Sequence, residues 1–349
     1  MTFDEVIAKI TLGLKNETKE DIKYLMEQME EYKNHEYSKE IHRAIGRIIY
    51  EICPDDMKNE FEKLSNNNNL GIEKTLEEAD FQMYKGNYNK ALKIMESLIK
   101  NIEERNWYQD DVKSEYHCFN NLLEEILYKE LFKPLKDVRQ IPENYTDAYF
   151  KYGVILFELK NYNKSLEVLK MANKYNPINV KILFELSEIY KINRNWDEYI
   201  NINKKCLEYC YSSKDIARCY RNYGFYFIEQ GNYDLAVNLF YLSLDFDQES
   251  KIAQSELLYI SEKIDKKINQ PKSDDIIELL KNNEIQIGAN HLVISIAHYI
   301  GKEALKNKNV YMSKYFTEIV YDLTKDEDFK KTIDNLNELI EKMKEANGV

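Results

Sequence analysis

The stretch that most constrains this chain runs from Thr146 to Glu249. There "TDAYFKYGVILFELKNYNKSLEVLKMANKYNP" and "VKILFELSEIYKINRNWDEYININ" superimpose with a register of about 34 residues, and "ARCYRNYGFYFIEQGNYDLAVNLFYLSLDFD" resumes it after a short insertion. On that register Tyr152, Leu186 and Tyr223 fall together. So do Gly153, Ser187 and Gly224, then Leu156, Tyr190 and Phe227, then Tyr162, Trp196 and Tyr233. A period of this length with bulky and small residues alternating marks helical hairpins stacked in an array. One such hairpin cannot bury its apolar face alone, so each must cover the next. Glycine or serine at the closest approach lets two helices come near, and the bulky residues fill the space around them.

Composition supports an all-helical chain. Its 349 residues contain only 10 Gly and 5 Pro, too few turn residues for a many-stranded protein, and the 32% charged residues recur as solvated helix faces require. The net charge of −12 argues against nucleic acid as a partner, because such binding draws on Lys and Arg that neutralise phosphates. Anionic membrane surfaces are disfavoured for the same reason. The opening "MTFDEVIAKITLGLKNETKED" places Asp4 and Glu5 where a signal peptide would be basic, and no apolar run approaches a membrane span. Five scattered cysteines form no disulfide framework. A reduced, cytoplasmic protein is expected. The richness in Asn and Tyr is read as compositional bias, without functional content.

Residues 1–65 read as a helical unit. Thr2 and Glu5 form a capping box, Thr18 and Ser38 open two further helices, and a short helix after Pro54 carries Met57, Phe61 and Leu64. With fifteen acidic residues against ten basic, this unit is a poor DNA reader and a better cap on the array. "SNNNNLG" at 65–71 is the expected linker. Regular repeats are expected at about 72–105, 146–179, 180–213, 217–250 and 294–325, with irregular units at 106–145 and 251–293 and a cap helix at 326–346. In the first irregular unit, Val112, Tyr116, Phe119, Leu123, Ile126 and Leu127 predict one long helix over about 110–132, followed by the Pro-bounded loop "KPLKDVRQIPENY".

These residues resemble the tetratricopeptide repeat (TPR) family. Tyr149, Tyr152, Gly153, Leu156, Tyr162, Leu169, Ala172 and Pro177 stand where that family keeps its bulky, small and breaker residues. Tyr199 and Asn203 depart from the pattern, replacing a small and a large apolar residue and predicting altered packing of that repeat. The resemblance implies a right-handed α-solenoid of stacked antiparallel helix pairs, with an N-terminal helical cap and a C-terminal capping helix. It also implies a concave groove lined by first helices. On the matching positions the groove would carry Phe150, Val154, Phe157, Phe184, Glu188, Arg218, Arg221, Asn222 and Phe225.

Exposed aromatics beside fixed polar groups suit an extended peptide or a partner helix, and Arg218 with Arg221 suit a carboxylate. The competing reading buries those rings between repeats and pairs the arginines with nearby Glu. Family members that bind chaperone tails use a Lys/Asn/Arg clamp over three adjacent repeats. Only Arg221 and Asn222 match it here, with Glu185 and Glu188 on the preceding repeat, which argues against that ligand.

Other clusters read as structural. Cys206 and Cys210 lie one turn apart near Cys219, without a histidine to complete a zinc site, and are taken as core thiols. His117 with Glu124 and His291 with His298 are spaced two turns apart, not at metal-ligand spacing. Glu124–Glu125 and Asp110–Asp111 read as solvated charge. No phosphate loop, nucleophile elbow or zinc spacing is present, so no metal, cofactor or catalytic residue is assigned. The expected function is non-catalytic binding of a protein or peptide partner. A peptide-responsive regulatory sensor, and an enzyme with a site near the 133–145 loop, stand as alternatives.

Overall fold

In a computed structural model, which describes residues 1–54 and 71–347, the chain is helical apart from one short two-stranded ribbon. The helices α1 (Phe3–Leu12), α2 (Thr18–Glu31) and α3 (Ser38–Ile52) close over a small core of Val6, Ile10, Leu25, Ile41 and Ile45. The capping box of Thr2 and Glu5 is formed. The short helix around Met57, Phe61 and Leu64, and the linker up to Gly71, lie outside the described residues.

From Gly71 onward the order is α4 (Ile72–Tyr84), α5 (Tyr88–Arg105), β1 (Ser114–His117), α6 (Leu122–Phe132), β2 (Asp137–Gln140), α7 (Tyr145–Glu158) and α8 (Tyr162–Tyr175). Then come α9 (Val180–Ile192), α10 (Trp196–Tyr209), α11 (Ser213–Glu229), α12 (Tyr233–Phe246), α13 (Lys251–Ile264) and α14 (Ser273–Asn282). The chain continues through α15 (His291–Lys306), α16 (Val310–Thr324) and α17 (Glu327–Asn347). Within the array, helices pair as α4/α5, α7/α8, α9/α10, α11/α12 and α15/α16. Neighbouring pairs pack on one another from α5 through α13, which makes the fold a TPR-like solenoid. Among the described residues no helix is long and apolar enough to cross a membrane.

One turn recurs in all five hairpins. Gly86, Lys160, Arg194, Gly231 and Lys308 adopt positive φ, between 52° and 74°. Each is followed by an asparagine (Asn87, Asn161, Asn195, Asn232, Asn309) whose N–H donates to the carbonyl five residues back at 2.8–2.9 Å. This is the closure by which a helix ends on a left-handed residue. In four of the five, the same asparagine's side chain then accepts the third N–H of the next helix. One residue type thus ends one helix and starts another. The asparagines set aside as compositional bias are structural.

The small slot also has a physical cause. A Cβ added at Gly153 would stand 2.6 Å from Leu169, and one at Gly224 would stand 2.8 Å from the Phe240 ring. In these two hairpins the helices are therefore closer than a side chain at that slot allows. Tyr199 and Asn203, the departures from the family pattern, are fully buried and tie α10 to the main chain of α11. Tyr199 Oη donates to the Asn222 carbonyl at 3.2 Å, and Asn203 Nδ2 to that of Cys219 at 3.0 Å.

The irregular unit departs from expectation. No single helix spans 110–132: β1 pairs in parallel with β2, and a helix begins only at Leu122. Phe119, Leu123 and Leu127 are buried as expected, but Val112 is exposed. The strand persists because its outward donors are taken: Asp111 Oδ1 accepts from Ser114 N, Asp110 Oδ1 from Tyr116 N, and the Tyr175 carbonyl from Cys118 N. Asp111 also meets Arg47 at 3.3 Å, which ties α3 to this unit.

After α14 the chain doubles back. Gln286 Nε2 and Asn290 Nδ2 donate to the Leu207 and Glu208 carbonyls, and Tyr220 Oη donates to Gln286 O. Helix α15 then packs on α6, α17 packs on α16, and Asp322 of α16 accepts both the N–H and O–H of Ser213 at the start of α11.

Candidate functional site

The register that builds the hairpins also fixes which residues line the first helices. Asp147, Lys181 and Arg218 occupy one slot, Phe150, Phe184 and Arg221 a second, and Val154, Glu188 and Phe225 a third. Two clefts open along this face.

The cleft over α9, α11 and α13 has a volume of about 350 Å³ and gathers Glu188, Arg218, Arg221, Asn222 and Phe225 from the sequence-derived set, together with Lys191. Its charges are internally matched. The Arg218 guanidinium lies 4.2 Å over the Phe184 ring and within 3.9 Å of both Glu185 and Glu188. Glu188 also holds Lys191 at 2.6 Å, whose ammonium sits 4.9 Å over Phe225. Arg221 pairs with Asp247 at 3.1 Å. Burial pulls the Arg221 guanidinium down from its usual value, and Asp247 opposes that pull. Burial raises the carboxyls of Glu185 and Glu256, with Arg218 and Lys191 respectively acting against it. The Asn222 side-chain amide is buried, and among the described residues its Nδ2 meets no hydrogen-bond partner.

The second cleft, about 750 Å³, lies over α4, α7 and α9. Phe150 lines it, beside Asp147, Lys151, Lys181 and the acidic Glu77 and Asp80 of α4. Tyr211 and Tyr315 form its far wall, so the doubled-back hairpin deepens it. Of the remaining sequence-derived residues, Phe184 is buried beneath Arg218, and Phe157 packs edge-on to Tyr162 at 5.4 Å. Val154 is half-buried and lines neither cleft. Both readings of the face are thus partly realised: some rings are buried and both arginines are paired, while Phe150 and Phe225 remain half-exposed beside polar groups.

Sequence reasoning passed over Asp147 and Lys181, although they share the Arg218 slot and the register pointed to them. It also took Glu124 as solvated charge. Glu124 is only 1% exposed, and its carboxylate accepts from Asn120 N (2.8 Å), Asn120 Nδ2 (3.2 Å), Asn176 Nδ2 (2.7 Å) and Tyr211 Oη (3.0 Å). These donors come from α6's approach and from the α8–α9 and α10–α11 turns, so Glu124 knots three parts of the chain behind the larger cleft. Nor is Asp111 solvated; it is buried under Arg47. His117 lies in β1, stacked on Phe119 at 5.1 Å, not on a helix face shared with Glu124. The thiols are core groups: Cys206, Cys210 and Cys219 are wholly buried, Cys210 and Cys219 lie 3.7 Å apart, and burial pushes both of those thiols up. Such thiols are poor nucleophiles.

No family model matches the sequence, and no curated protein sequence matches it. Among solved structures, the Rap conjugation gene regulator of the plasmid pLS20, in complex with the Phr* peptide, is similar at 15% identity. That match covers 99% of this chain and 96% of that one, with a TM-score of 0.37. The C-terminal part of a TPR repeat-containing protein from Cytophaga hutchinsonii is similar at 13% identity over 73% of this chain and 98% of that one, with a TM-score of 0.25.

Proposed function

We propose that this protein is a non-catalytic binding module that takes an extended peptide segment of a partner protein along the face of its first helices. The observation that carries the reading is the pair of clefts on one register. Phe150 and Phe225 offer half-exposed rings, and Asp147, Lys181, Arg221 and Asn222 stand at fixed spacing beside them. A peptide gains apolar burial from the rings and directional hydrogen bonds from the polar groups. Its carboxylates would compete with Glu188 for Arg218, the more open of the two arginines. The division into an N-terminal unit at 1–65 and an array from 72 onward, and a cytoplasmic location, belong to the same proposal.

The test is selection of displayed peptides on the full chain, followed by affinity measurement on Arg218→Ala and Phe225→Ala. Each substitution should weaken binding by about tenfold or more, as removal of a central anchor does. Affinities equal to wild type would remove the assignment. Arg221→Glu is a poor probe, because it sets two carboxylates against each other at a half-buried site. Arg221→Gln keeps the shape without that repulsion.

A second reading is favoured by one feature, the wall that Tyr315 adds to the larger cleft from a distant hairpin. A peptide seated there would touch both α7 and α16, and a peptide-responsive regulator would use that bridge to change shape. A ligand-dependent change in the radius of gyration separates this from simple docking.

A further inference from the structure

The irregular unit carries a surface unrelated to the first-helix clefts. In a parallel pair, alternate residues of a strand turn both N–H and C=O toward the neighbour, and the others turn them away. Asp137 N donates to Lys113 O and Ile141 N to His117 O, so Val138 and Gln140 present their main-chain groups outward from β2. The outward N–H groups of β1 and its flank, those of Ser114, Tyr116 and Cys118, are taken by Asp111, Asp110 and Tyr175. The outer side of β2 is not: among the described residues no protein group meets the N–H of Val138 or Gln140.

An unpaired strand edge is a template for another strand unless something blunts it. Here the flank is shaped and charged. A cleft of about 660 Å³ runs between β2 and the last turn of α6, lined by Lys129, Lys133, Lys136 and Arg139 against Glu130 and Asp137. Four cations against two carboxylates is a reversal in a chain of net charge −12. Lys133 is held by Glu130 at 2.6 Å and Arg139 by Asp137 at 3.1 Å, both exposed pairs between near neighbours in sequence. Such pairs contribute little and yield readily to a better-placed carboxylate. Leu135 is completely exposed beside the edge, and Phe132 is about half exposed one turn before it.

We propose that the open edge of β2 docks an extended acidic segment of a partner protein as a third strand. Its main chain pairs with Val138 and Gln140, its carboxylates meet Lys133 and Arg139, and one apolar side chain covers Leu135. Main-chain pairing supplies affinity in this mode, and alternate side chains supply selectivity. Both are present here, since the strand period sets carboxylates on one face and apolar groups on the other.

The probe is a labelled peptide of about eight residues, alternating valine and glutamate, titrated into the full chain; a peptide alternating valine and lysine is the control. The acidic peptide binds, added salt weakens it, and amide exchange slows within residues 133–141. Val138→Pro removes an outward donor without removing a bond to β1, and Lys133→Glu combined with Arg139→Glu reverses the rim. Each variant lowers the affinity by about tenfold, equivalent to about 1.4 kcal/mol, while the helical circular dichroism signal is unchanged. Phe225→Ala, in the first-helix cleft, leaves this binding intact, so failure here is separable from failure of the peptide groove. The proposal is overturned if the acidic peptide does not bind, if both peptides bind alike, or if neither Val138→Pro nor the charge reversal changes the affinity. Dimerisation of the chain through this edge in place of peptide binding would overturn it too.

Discussion

The hairpins between Thr146 and Glu249 and the irregular unit between Asn106 and Tyr145 are neighbours in one array, yet they are held by different physics. In the hairpins the devices are local and repeated. A positive-φ residue, an asparagine that serves two helices and a small residue at the crossing lie within one hairpin of each other. In the irregular unit the devices are borrowed. Strand β1 depends on the Tyr175 carbonyl, and Glu124 depends on Asn176 and Tyr211, which belong to later repeats. Local devices make a modular stack that tolerates change one unit at a time. Borrowed ones make a joint whose loss is felt across several elements.

The largest effect should therefore come from the joint. Glu124→Ala strands the donors of Asn120, Asn176 and Tyr211 in a buried site and should cost about 3 kcal/mol in denaturant unfolding. Asn161→Ala, which removes one local cap, should cost only about 1 kcal/mol. If the two costs were equal, the contrast between joint and stack would fail.

Next in size is the crossing. Gly153→Ala forces its Cβ to within 2.6 Å of Leu169 and should destabilise by about 2 kcal/mol, typical of overpacking. Gly301→Ala occupies the equivalent slot of the distant hairpin, where the nearest atom is Thr317 Oγ1 at 3.4 Å. Relief of glycine's entropy cost in a helix should make that change neutral or stabilising by about 0.5 kcal/mol. A thermal melt of the pair sharpens the comparison, because one template slot is being tested in two packings.

The turns give a smaller effect of known sign. Lys160→Gly and Arg194→Gly relieve a left-handed conformation that glycine adopts freely, and each should stabilise by about 0.5 kcal/mol; Gly231→Lys should cost a similar amount. The smallest effect is conditional on pH. Burial alone raises the Asp322 carboxyl, but hydrogen bonds from Lys325 and from the N–H and O–H of Ser213 outweigh it and hold the group below its usual value. A carboxyl depressed in the folded state contributes stability above its unfolded value of about 4, lost as pH falls through the lower folded value. Stability in denaturant unfolding should accordingly fall on acidification through that lower value, and Asp322→Asn should make the fall shallower.

The same contrast explains what could be read from the sequence. The slots at Gly153, Ser187 and Gly224 announced the stack because their cause lies within one hairpin. The asparagine at each turn is equally local and equally regular, but the chain's overall richness in asparagine masks it. Strand β1 could not be read. Tyr116, Phe119, Leu123 and Leu127 mimic a helical stripe, and the groups that choose strand over helix include Tyr175, nearly sixty residues away. The doubling back of α15 and α16 rests on Tyr220, Gln286 and Asn290 reaching main-chain or side-chain partners far along the chain. No periodicity records such contacts. At the candidate site, the slots of Phe150, Arg221 and Phe225 were legible, whereas the burial of Phe184 and the pairing of both arginines depend on neighbouring repeats.

The central claim is that the first helices of successive hairpins act as one binding face. Amide exchange of the full chain, with and without a peptide selected by display, tests it most directly. Simultaneous slowing in residues 145–158, 180–192 and 213–229 is the predicted result. Slowing confined to one of these helices, or only to residues outside them, would contradict it.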